Sequence, residues 1–209
     1  MNILLVDDHI MTLEGYAAIL NNADTVFTKV QNCEEAYHKI VSSGNFDVAI
    51  FDYSIPAYPE QKLHSGVDCA VLLRKYHPDC RIILITAYSE GFELYSIKKK
   101  AKPDALIVKE DLTIQSFKEI VFSKELAPNY LSRRAKEAIA LVKKQEVLMN
   151  DVNIEILMYL SRGYKPGQLS EIIGLSKSGV QKRLSKMQED FDVPDTSALI
   201  KLMYELEYI

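Results

Sequence analysis

Side chains able to transfer a phosphoryl group stand directly after short apolar runs in the first half of the sequence. They are three carboxylates, one hydroxyl and one ammonium: Asp7, Asp8, Asp52, Thr86 and Lys109. Carboxylates that lie close together repel one another and raise each other's pKa unless a cation lies among them. A hard divalent ion such as Mg2+ meets that need, because it takes one or two carboxylates and also binds phosphate oxygens.

An aspartate in this setting can also act as a nucleophile. Its carboxylate can attack phosphorus and form an aspartyl phosphate. A nearby ammonium and a hydroxyl would then hold the transferred phosphoryl oxygens. The residue types therefore indicate Mg2+-dependent phosphoryl transfer, provided that the fold brings them together.

These residues meet only if the apolar runs before them are parallel strands of one sheet. Apolar runs alternate with segments of helical periodicity, which predicts five rounds of strand then helix over residues 1–123. The predicted strands are residues 3–6, 26–30, 48–51, 82–85 and 106–108, and the predicted helices are residues 10–20, 34–41, 67–76, 92–100 and 114–122. Short apolar strands are typical of a doubly wound α/β domain, whose ligands bind at the carboxyl edge of the parallel sheet.

The second half of the sequence has helical periodicity and no strand pattern. Its predicted helices are residues 137–144, 154–160, 169–173, 180–191 and 197–204, separated by the helix breakers Gly163, Pro166, Gly174 and Pro194. We expect residues 124–147 to form a linker helix and residues 148–209 to form an all-α domain. The length of 209 residues suits two small domains of this kind.

The net charge of −4 argues by itself against a strongly basic nucleic-acid-binding protein. The charge is unevenly distributed, however. Residues 1–123 carry 17 acidic and 12 basic side chains, and residues 124–209 carry 13 basic and 12 acidic ones. Five basic residues lie within residues 165–186, where Glu171 is the one acidic residue. The positive charge is therefore concentrated in one short region.

Several classes of protein are excluded by the sequence. The three cysteines, Cys33, Cys69 and Cys80, have neither the spacing of a zinc site nor the number of a disulfide framework. The amino-terminal apolar run is four residues long and ends in two acids, unlike a signal peptide. No run approaches the length of a membrane span. We expect a cytoplasmic protein without a membrane partner.

The first 123 residues resemble the receiver domain of two-component response regulators. The matching segments are residues 5–9, 51–56, 84–87 and 108–110. The resemblance implies that Asp52 accepts the phosphoryl group and that Asp8, Asp52 and the Ser54 carbonyl bind Mg2+ directly. It further implies that Asp7 acts through a bound water, that Lys109 pairs with the phosphoryl group, and that Thr86 moves to hydrogen-bond it. That movement would couple the new charge to conformation.

Two departures from the receiver pattern concern the switch and one loop. Leu106 occupies the position where receivers usually carry an aromatic switch residue, so the usual relay is incomplete. The switch candidates are therefore Leu106 itself and Tyr88, which could replace the aromatic residue or shield the site. The loop after Asp52 is also longer than usual, and residues 57–65 are interpreted either as a tolerated surface insertion or as a lid or partner contact.

Residues 148–209 resemble the LuxR-type helix-turn-helix of NarL/FixJ response regulators. The resemblance rests on residues 156–164, 169–176 and 180–184, and Ser176 is a natural N-cap for the second helix of the motif. In this motif the second helix enters the major groove of double-stranded DNA. The residues expected to contact DNA are Lys165, Ser176, Lys177, Gln181, Lys182, Arg183 and Lys186. Family resemblance also makes the last helix, residues 196–204, the dimerisation element.

The sequence thus predicts a transcriptional response regulator that a histidine kinase phosphorylates on Asp52. Phosphorylation would control homodimerisation and DNA binding, and no enzymatic activity is expected beyond the chain's own phosphorylation and dephosphorylation. One alternative is an atypical receiver that acts as a protein-interaction module, with weak or phosphorylation-independent DNA binding. A phosphatase with an aspartate nucleophile is disfavoured, because Ser54 stands where such enzymes need a second aspartate.

Overall fold

A parallel sheet connected by helices is the main element of the fold in a computed structural model. The structure describes residues 1–42, 45–123, 127–144 and 150–209. The chain divides into two units. The first comprises Met1–Tyr88 and Ile97–Ala135, and the second comprises Ser89–Ser96 and Lys136–Ile209.

The sheet of the first unit has six strands within the described residues. They are β1 (Asn2–Val6), β2 (Val26–Val30), β3 (Val48–Asp52), β4 (Arg81–Thr86), β5 (Ala105–Val108) and β6 (Tyr130–Leu131). The strand order is β2-β1-β3-β4-β5-β6, and all neighbours are parallel. The five predicted strands are confirmed. Three of them extend into polar residues such as Asp52 and Thr86, because the ladder is made by the main chain and does not end where the apolar run ends.

Strand β6 corrects the prediction that residues 124–147 contain no strand. Tyr130 pairs with Ala105 and Leu131 with Leu106. The Tyr130 amide donates to the Asp104 carbonyl at 3.0 Å, and the Ser132 amide donates to the Leu106 carbonyl at 3.0 Å. A strand of two residues is too short to show an alternating pattern in the sequence. It nevertheless pairs part of the sheet edge at β5.

Five helices lie after the first five strands in the chain. They are α1 (Ile10–Leu20), α2 (Cys33–Ser42), α3 (Gly66–Tyr76), α4 (Gly91–Ala101) and α5 (Ile114–Phe122). Short 3-10 helices also occur at Pro59–Gln61 and Lys109–Asp111. Side chains of β1, β3, β4 and β5 form one buried cluster with Leu13 of α1 and Phe117 of α5. The predicted doubly wound α/β architecture is therefore confirmed.

The remaining helices are α6 (Arg133–Lys144), α7 (Asp151–Ser161), α8 (Pro166–Ile172), α9 (Lys177–Asp190) and α10 (Thr196–Glu205). Helices α7 to α10 pack around a core that includes Leu157, Leu169, Leu184, Leu199 and Met203. Each of these four helices starts before its predicted first residue. Polar caps explain three of the starts: the side chains of Asn150, Ser176 and Asp195 accept hydrogen bonds from the first-turn amides of α7, α9 and α10.

The predicted helix over residues 137–144 is confirmed and begins earlier, at Arg133. The central part of the predicted linker, residues 145–147, lies outside the described residues. None of the helices in the described parts of the chain is both long enough and apolar enough to span a membrane.

Candidate functional site

The carboxyl edge of the sheet brings together side chains from four neighbouring strands. Strand β1 is followed by Asp7, β3 ends at Asp52, β4 ends at Thr86 and β5 is followed by Lys109. Because β1, β3, β4 and β5 are adjacent in the sheet, their carboxyl ends lie side by side. At this edge Asp7, Asp52 and Lys109 lie close together, as the sequence predicted.

Lys109 links two buried carboxylates at the centre of this pocket. Its Nζ lies 2.6 Å from Asp52 Oδ1 and 3.6 Å from Asp7 Oδ2. The other oxygen of Asp52, Oδ2, accepts a hydrogen bond from the Ser54 amide at 2.8 Å. Both oxygens of Asp52 are therefore oriented by contacts with Lys109 and Ser54.

Burial and neighbouring charge shift the pKa values of this pair. Burial raises the pKa of the Asp52 carboxyl above its ordinary value, and the charge of Asp7 adds to the effect, although Lys109 opposes it. Partial burial works to lower the pKa of Lys109. The hydrogen bond and charge of Asp52, with the charge of Asp7, outweigh that effect and leave the pKa of Lys109 raised. The Lys109 ammonium therefore favours its charged form, and it lies beside a carboxylate that burial keeps from full hydration.

The acids after β1 form the outer part of the pocket together with His9. Asp7 Oδ1 accepts a hydrogen bond from the His9 amide at 2.9 Å. The His9 ring nitrogen Nδ1 lies 2.7 Å from Asp8 Oδ1 and 3.4 Å from Asp7 Oδ1. Asp7 Oδ2 is buried and accepts no hydrogen bond from any described residue. This oxygen-rich set with an unsatisfied buried carboxylate oxygen fits a divalent cation.

Thr86 and two tyrosines lie at the end of β4. The Thr86 side chain is buried, and its Oγ1 accepts a hydrogen bond from the Tyr88 amide at 3.0 Å. The Tyr88 ring is partly exposed and meets the Tyr53 ring edge-on, with centroids 4.9 Å apart. Tyr53 was missed by the sequence reasoning, since it has no motif beyond its place next to Asp52.

A glycine allows α3 to approach the end of β3. A Cβ atom on Gly66 would lie 1.9 Å from the Asp52 carbonyl oxygen, which no side chain could tolerate. The Gly66 amide also donates to the Tyr53 carbonyl at 3.0 Å. The residue that starts α3 thus contacts the backbone of the residue that carries the central carboxylate.

The second predicted site is the exposed face of α9. Ser176 caps the helix as predicted, because its Oγ accepts a hydrogen bond from the Gly179 amide at 3.0 Å. A shallow groove of about 490 Å3 runs along this face. Its lining residues are Ser178, Gln181, Lys182, Ser185, Lys186 and Glu189. Lys177, Gln181, Lys182 and Lys186 are all exposed.

The basic residues expected to contact DNA are not equally available. Lys186 lies 2.8 Å from Asp190 and 3.4 Å from Glu189, so two acidic neighbours compete with DNA phosphates for its charge. Arg183 is partly buried, and its Nη1 donates to the side chain of Asn153 in α7 at 2.9 Å. Lys165 precedes α8, where its amide donates to Gln168 Oε1 at 2.8 Å. Lys182 makes no ion pair with any residue that the structure describes.

Comparison with known proteins identifies the first unit. The family model described as the response regulator receiver domain matches residues 3–110, just over half of the chain. This chain belongs to that family. The conclusion agrees with the geometry, since the four segments that carry the resemblance end at the acidic pocket.

Two curated relatives match the receiver and the helical unit together. The chain is 20% identical to the oxygen regulatory protein NreC of Staphylococcus epidermidis strain RP62A and 22% identical to NreC of Staphylococcus carnosus strain TM300. In both comparisons the match covers 96% of this chain and 95% of the relative. The similarity to response regulators therefore extends beyond the receiver.

Solved structures of similar fold also span both units. One is RcsB of Salmonella enterica serovar Typhimurium bound to promoter P1flhDC in the presence of the phosphomimetic BeF3−, with a TM-score of 0.65, 14% identity and 96% of each chain covered. Another is described as two RcsB dimers bound to two parallel DNAs, with a TM-score of 0.64, 14% identity and 98% of each chain covered. The fold of this chain is thus that of a receiver followed by a helical unit.

Leu106 of this receiver is a core residue. It is fully buried within β5, its neighbour across the ladder is Leu131 of β6, and its carbonyl accepts from the Ser132 amide. Directly beyond it, the Val108 amide donates to Ser132 Oγ at 3.1 Å. Leu106 is thus enclosed by its neighbours in the sheet, whereas Tyr88 is exposed.

The long loop of the receiver is packed against α2. Its Tyr58 and Leu63 exchange backbone hydrogen bonds of 2.7 and 3.1 Å, and the Leu63 side chain is buried. The Tyr58 ring lies 5.8 Å from the Tyr37 ring and 6.3 Å from the His38 ring. Residues 57–65 therefore form a small ordered structure with its own hydrophobic anchor.

Tyr16 of α1 is a further residue that sequence reasoning missed. Its ring packs against Phe117 of α5, with centroids 4.8 Å apart. Burial raises the pKa of its hydroxyl, and the negative charges of Asp7 and Asp52 raise it further. The sequence predicted a helix over residues 10–20, and only the folded structure shows that Tyr16 lies within the field of the acidic pocket.

Proposed function

We propose that this chain is a DNA-binding transcriptional response regulator whose receiver is phosphorylated on Asp52 by a partner histidine kinase. The observation that carries the proposal is the contact of 2.6 Å between Asp52 Oδ1 and Lys109 Nζ at the carboxyl edge of the sheet. A carboxylate and an ammonium from two separate strands are placed there beside a second buried carboxylate, Asp7. We assign residues 1–123 to the receiver, 124–147 to the linker helix and 148–209 to the DNA-binding domain.

Asp52 is suited to act as the nucleophile. Ser54 and Lys109 orient its two oxygens, so one oxygen is presented to an incoming phosphorus atom without a search through rotamers. The carboxylate forms the new P–O bond while the bond from phosphorus to the donor group of the kinase breaks. Lys109 then contacts the transferred phosphoryl oxygens in place of the carboxylate oxygen that it holds before the reaction.

Mg2+ is the proposed cofactor of this pocket. Asp8, Asp52 and the Ser54 carbonyl would hold it directly and Asp7 would act through a water, and the unsatisfied oxygen of Asp7 supports this assignment. When bound, the ion supplies positive charge between the carboxylates and the phosphoryl oxygens. The protein contributes the fixed arrangement of carboxylates, which repel one another without a cation.

Thr86 and Tyr88 provide the proposed response to phosphorylation. The Thr86 oxygen accepts a hydrogen bond from the Tyr88 amide, so its own O–H proton remains available for a phosphoryl oxygen. A shift of Thr86 toward the phosphoryl group would change the hydrogen bond that positions Tyr88. The Tyr88 ring, which rests on Tyr53, would move with it.

The proposed DNA-binding element is α9, placed in the major groove. Gln181 suits the adenine edge, and Lys182 suits a phosphate or guanine. The other proposed contacts are Lys165, Ser176, Lys177, Arg183 and Lys186. The similar fold of RcsB, which binds DNA as a dimer, supports both this assignment and a homodimer as the active form.

Phosphorylation is tested by incubating the chain with acetyl phosphate and Mg2+ and measuring its intact mass. We expect the mass of one added phosphoryl group on the wild-type chain and none on Asp52→Asn. Asp79→Asn is the matched control, because it removes an exposed carboxylate that precedes β4 and lies outside the pocket. Equal addition to Asp52→Asn would contradict the assignment of the acceptor.

Coupling to DNA is tested by measuring affinity with and without phosphorylation at one fixed salt concentration. Salt must be fixed because phosphate contacts make the affinity salt-dependent. We expect phosphorylation to tighten binding of the wild-type chain and to leave Asp52→Asn unchanged. Equal affinity in both states would mean that the receiver does not control the helical domain.

A protein-interaction module is the second candidate function. Two observations favour it. Leu106 is buried at the position where receivers usually carry the aromatic switch residue, so the usual relay is incomplete. Arg183 contacts Asn153, so it is less available to contact DNA. Binding to genomic DNA fragments over a range of salt concentrations separates the two functions. Absence of binding even at low salt would favour the interaction module.

A further inference from the structure

His9 offers the acidic pocket a nitrogen ligand that the proposed Mg2+ site does not use. It immediately follows Asp7 and Asp8, and its Nδ1 faces the oxygens of both. The side chain is 72% exposed, so the ring can adjust to a bound ion. One oxygen of each acid and one ring nitrogen of His9 lie within 4.8 Å of one another.

The separations match those between neighbouring ligands of one metal ion. Two ligands at right angles, each about 2.1 Å from an octahedral metal, lie about 3 Å apart. The distances from His9 Nδ1 to Asp8 Oδ1 and Asp7 Oδ1 are 2.7 and 3.4 Å. His9 Nδ1 is therefore close enough to Asp8 Oδ1 to bind the same ion.

A buried, unsatisfied oxygen provides an independent reason to expect a cation here. The Asp7 side chain is 97% buried, with 3% of its surface exposed, and its Oδ2 receives no hydrogen bond from the described residues. The nearest cationic group to that oxygen is Lys109 Nζ at 3.6 Å, beyond hydrogen-bond distance. Burial of a carboxylate oxygen that accepts no hydrogen bond is costly, and coordination of a metal ion removes that cost.

We propose that His9 is a metal ligand and that it makes this pocket prefer a nitrogen-seeking divalent ion, such as Co2+, over Mg2+. The inference rests on the proposed function, because it concerns the same acidic pocket. Imidazole binds the later first-row transition metals strongly, whereas Mg2+ prefers oxygen ligands and keeps its waters. Loss of the imidazole should therefore weaken Co2+ binding and affect Mg2+ little.

The competing explanation is that a protonated His9 merely neutralises the two carboxylates when no metal is bound. The two roles predict opposite effects of removing the ring. A ligand contributes affinity, so its loss weakens the binding of the preferred metal. A competing cation must be displaced by the metal, so its loss strengthens the binding of every divalent ion.

His9→Asn is the most discriminating substitution. His9 is the N-cap residue of α1 and makes no side-chain capping bond, and asparagine is among the best N-cap residues, so the helix is retained. The amide oxygen also remains able to bind Mg2+, while the ring nitrogen is removed. His64→Asn is the matched control, because His64 is an exposed histidine whose amide donates to a carboxylate outside the pocket, that of Asp68.

The experiment measures dissociation constants for Mg2+ and Co2+ by calorimetry on the full-length chain, at pH 8 and fixed salt. We expect His9→Asn to weaken Co2+ binding by at least about tenfold and Mg2+ binding by less than about twofold. The visible absorption of bound Co2+ should change in the same variant, because it reports the loss of a nitrogen ligand. His64→Asn should match the wild-type chain in both respects.

The outcomes separate failure of this inference from failure of the proposed function. Unchanged Co2+ affinity in His9→Asn, or tighter binding of both ions, would overturn the role of His9 as a ligand. Co2+ binding that persists in Asp52→Asn at wild-type strength would place the ion elsewhere and would also overturn it. Failure of Mg2+ to bind the wild-type chain would instead count against the proposed function.

Discussion

The acidic pocket and α9 differ in how their charged side chains meet solvent. In the pocket, Asp7 and Asp52 are buried and lie beside the partly exposed Lys109, and the three residues come from the ends of three strands. On α9, Lys177 and Lys182 are exposed to solvent and belong to one continuous helix. The charged groups of the pocket come together only when separate strands meet, whereas the lysines of α9 are already near one another in the sequence.

This contrast indicates what a single substitution should do in each region. Removing a group from the sheet or its pocket leaves a cavity, an unpaired charge or an unsatisfied amide, so stability should change. Removing an exposed lysine from α9 leaves the fold intact, so only binding should change. A pocket substitution that leaves stability unchanged, or an α9 lysine substitution that lowers it, would contradict this distinction.

The largest effect is expected for Leu106→Ala. Leu106 is completely buried, so the substitution should lower the free energy of unfolding by about 2–5 kcal/mol. Ile114→Ala is the control, because Ile114 is 62% exposed and its loss should change stability by less than about 0.5 kcal/mol. Urea unfolding of both variants measures the difference. Equal, small losses would show that Leu106 is not part of the core and would restore it as a candidate switch.

A smaller loss is expected for Lys109→Met, which leaves two carboxylates without their cation. Removing one partner of a buried pair costs about 3–5 kcal/mol, and the partial exposure of Lys109 should reduce this to about 2–3 kcal/mol. The double variant Asp52→Asn with Lys109→Met should recover much of the loss. If the double variant is no more stable than Lys109→Met, the two side chains are not coupled.

Asp52→Asn alone should stabilise the metal-free chain in a pH-dependent way. The pKa of Asp52 is raised in the folded state, so the folded chain holds its proton more tightly than the unfolded chain does. Ionised Asp52 therefore costs stability at pH values above its folded pKa, and the cost disappears below its ordinary value of 3.8. The difference in Tm between the variant and the wild type should be larger at pH 7.5 than at pH 4, measured with EDTA.

Ser132→Ala tests the pairing of β6 with the rest of the sheet. The substitution removes the acceptor of the Val108 amide and should cost about 1–2 kcal/mol, because a buried donor is left unsatisfied. Ser197→Ala, at an exposed position of α10, is the control. Hydrogen exchange at the Val108 amide should accelerate in Ser132→Ala alone. Unchanged exchange would mean that Ser132 does not protect that amide.

The smallest expected effect is on DNA binding by α9. Lys182→Ala should reduce the slope of log affinity against log salt by about 0.9, the value for one phosphate contact. Lys186→Ala should reduce it by less, because Glu189 and Asp190 compete with DNA phosphates for the charge of Lys186. Fluorescence anisotropy on a duplex of mixed sequence measures both slopes. Equal slopes would show that the ion pairs of Lys186 open when DNA binds.

Much of the architecture could be predicted because its causes are local. The apolar runs predicted five strands, and α1 and α5 begin and end where their periodicity does. Ser176 was predicted as the cap of α9 from its residue type and position, which its bond to Gly179 confirms. Periodicity and capping involve residues that are close together in the chain, so they can be recognised from a single sequence.

Other features could not be predicted because they depend on distant partners. Strand β6 is two residues long and forms only because the edge of β5 is there to pair with it. Arg183 was expected to face DNA, and its contact with Asn153 joins residues 30 positions apart. No nearby sequence pattern indicates that the edge of β5 is available for pairing or that Asn153 contacts Arg183.

The sequence alone determined which chemistry this chain can perform, since residue types after apolar runs specify three carboxylates, a hydroxyl and an ammonium. It also determined that basic residues are concentrated within residues 165–186, around α9. The tertiary structure decided which of those groups act on one another: Lys109 with Asp52, His9 with Asp8, and Leu106 with the core. The reason is that residue identity and periodicity are local properties, whereas burial and ion pairing arise only when separate strands and helices meet.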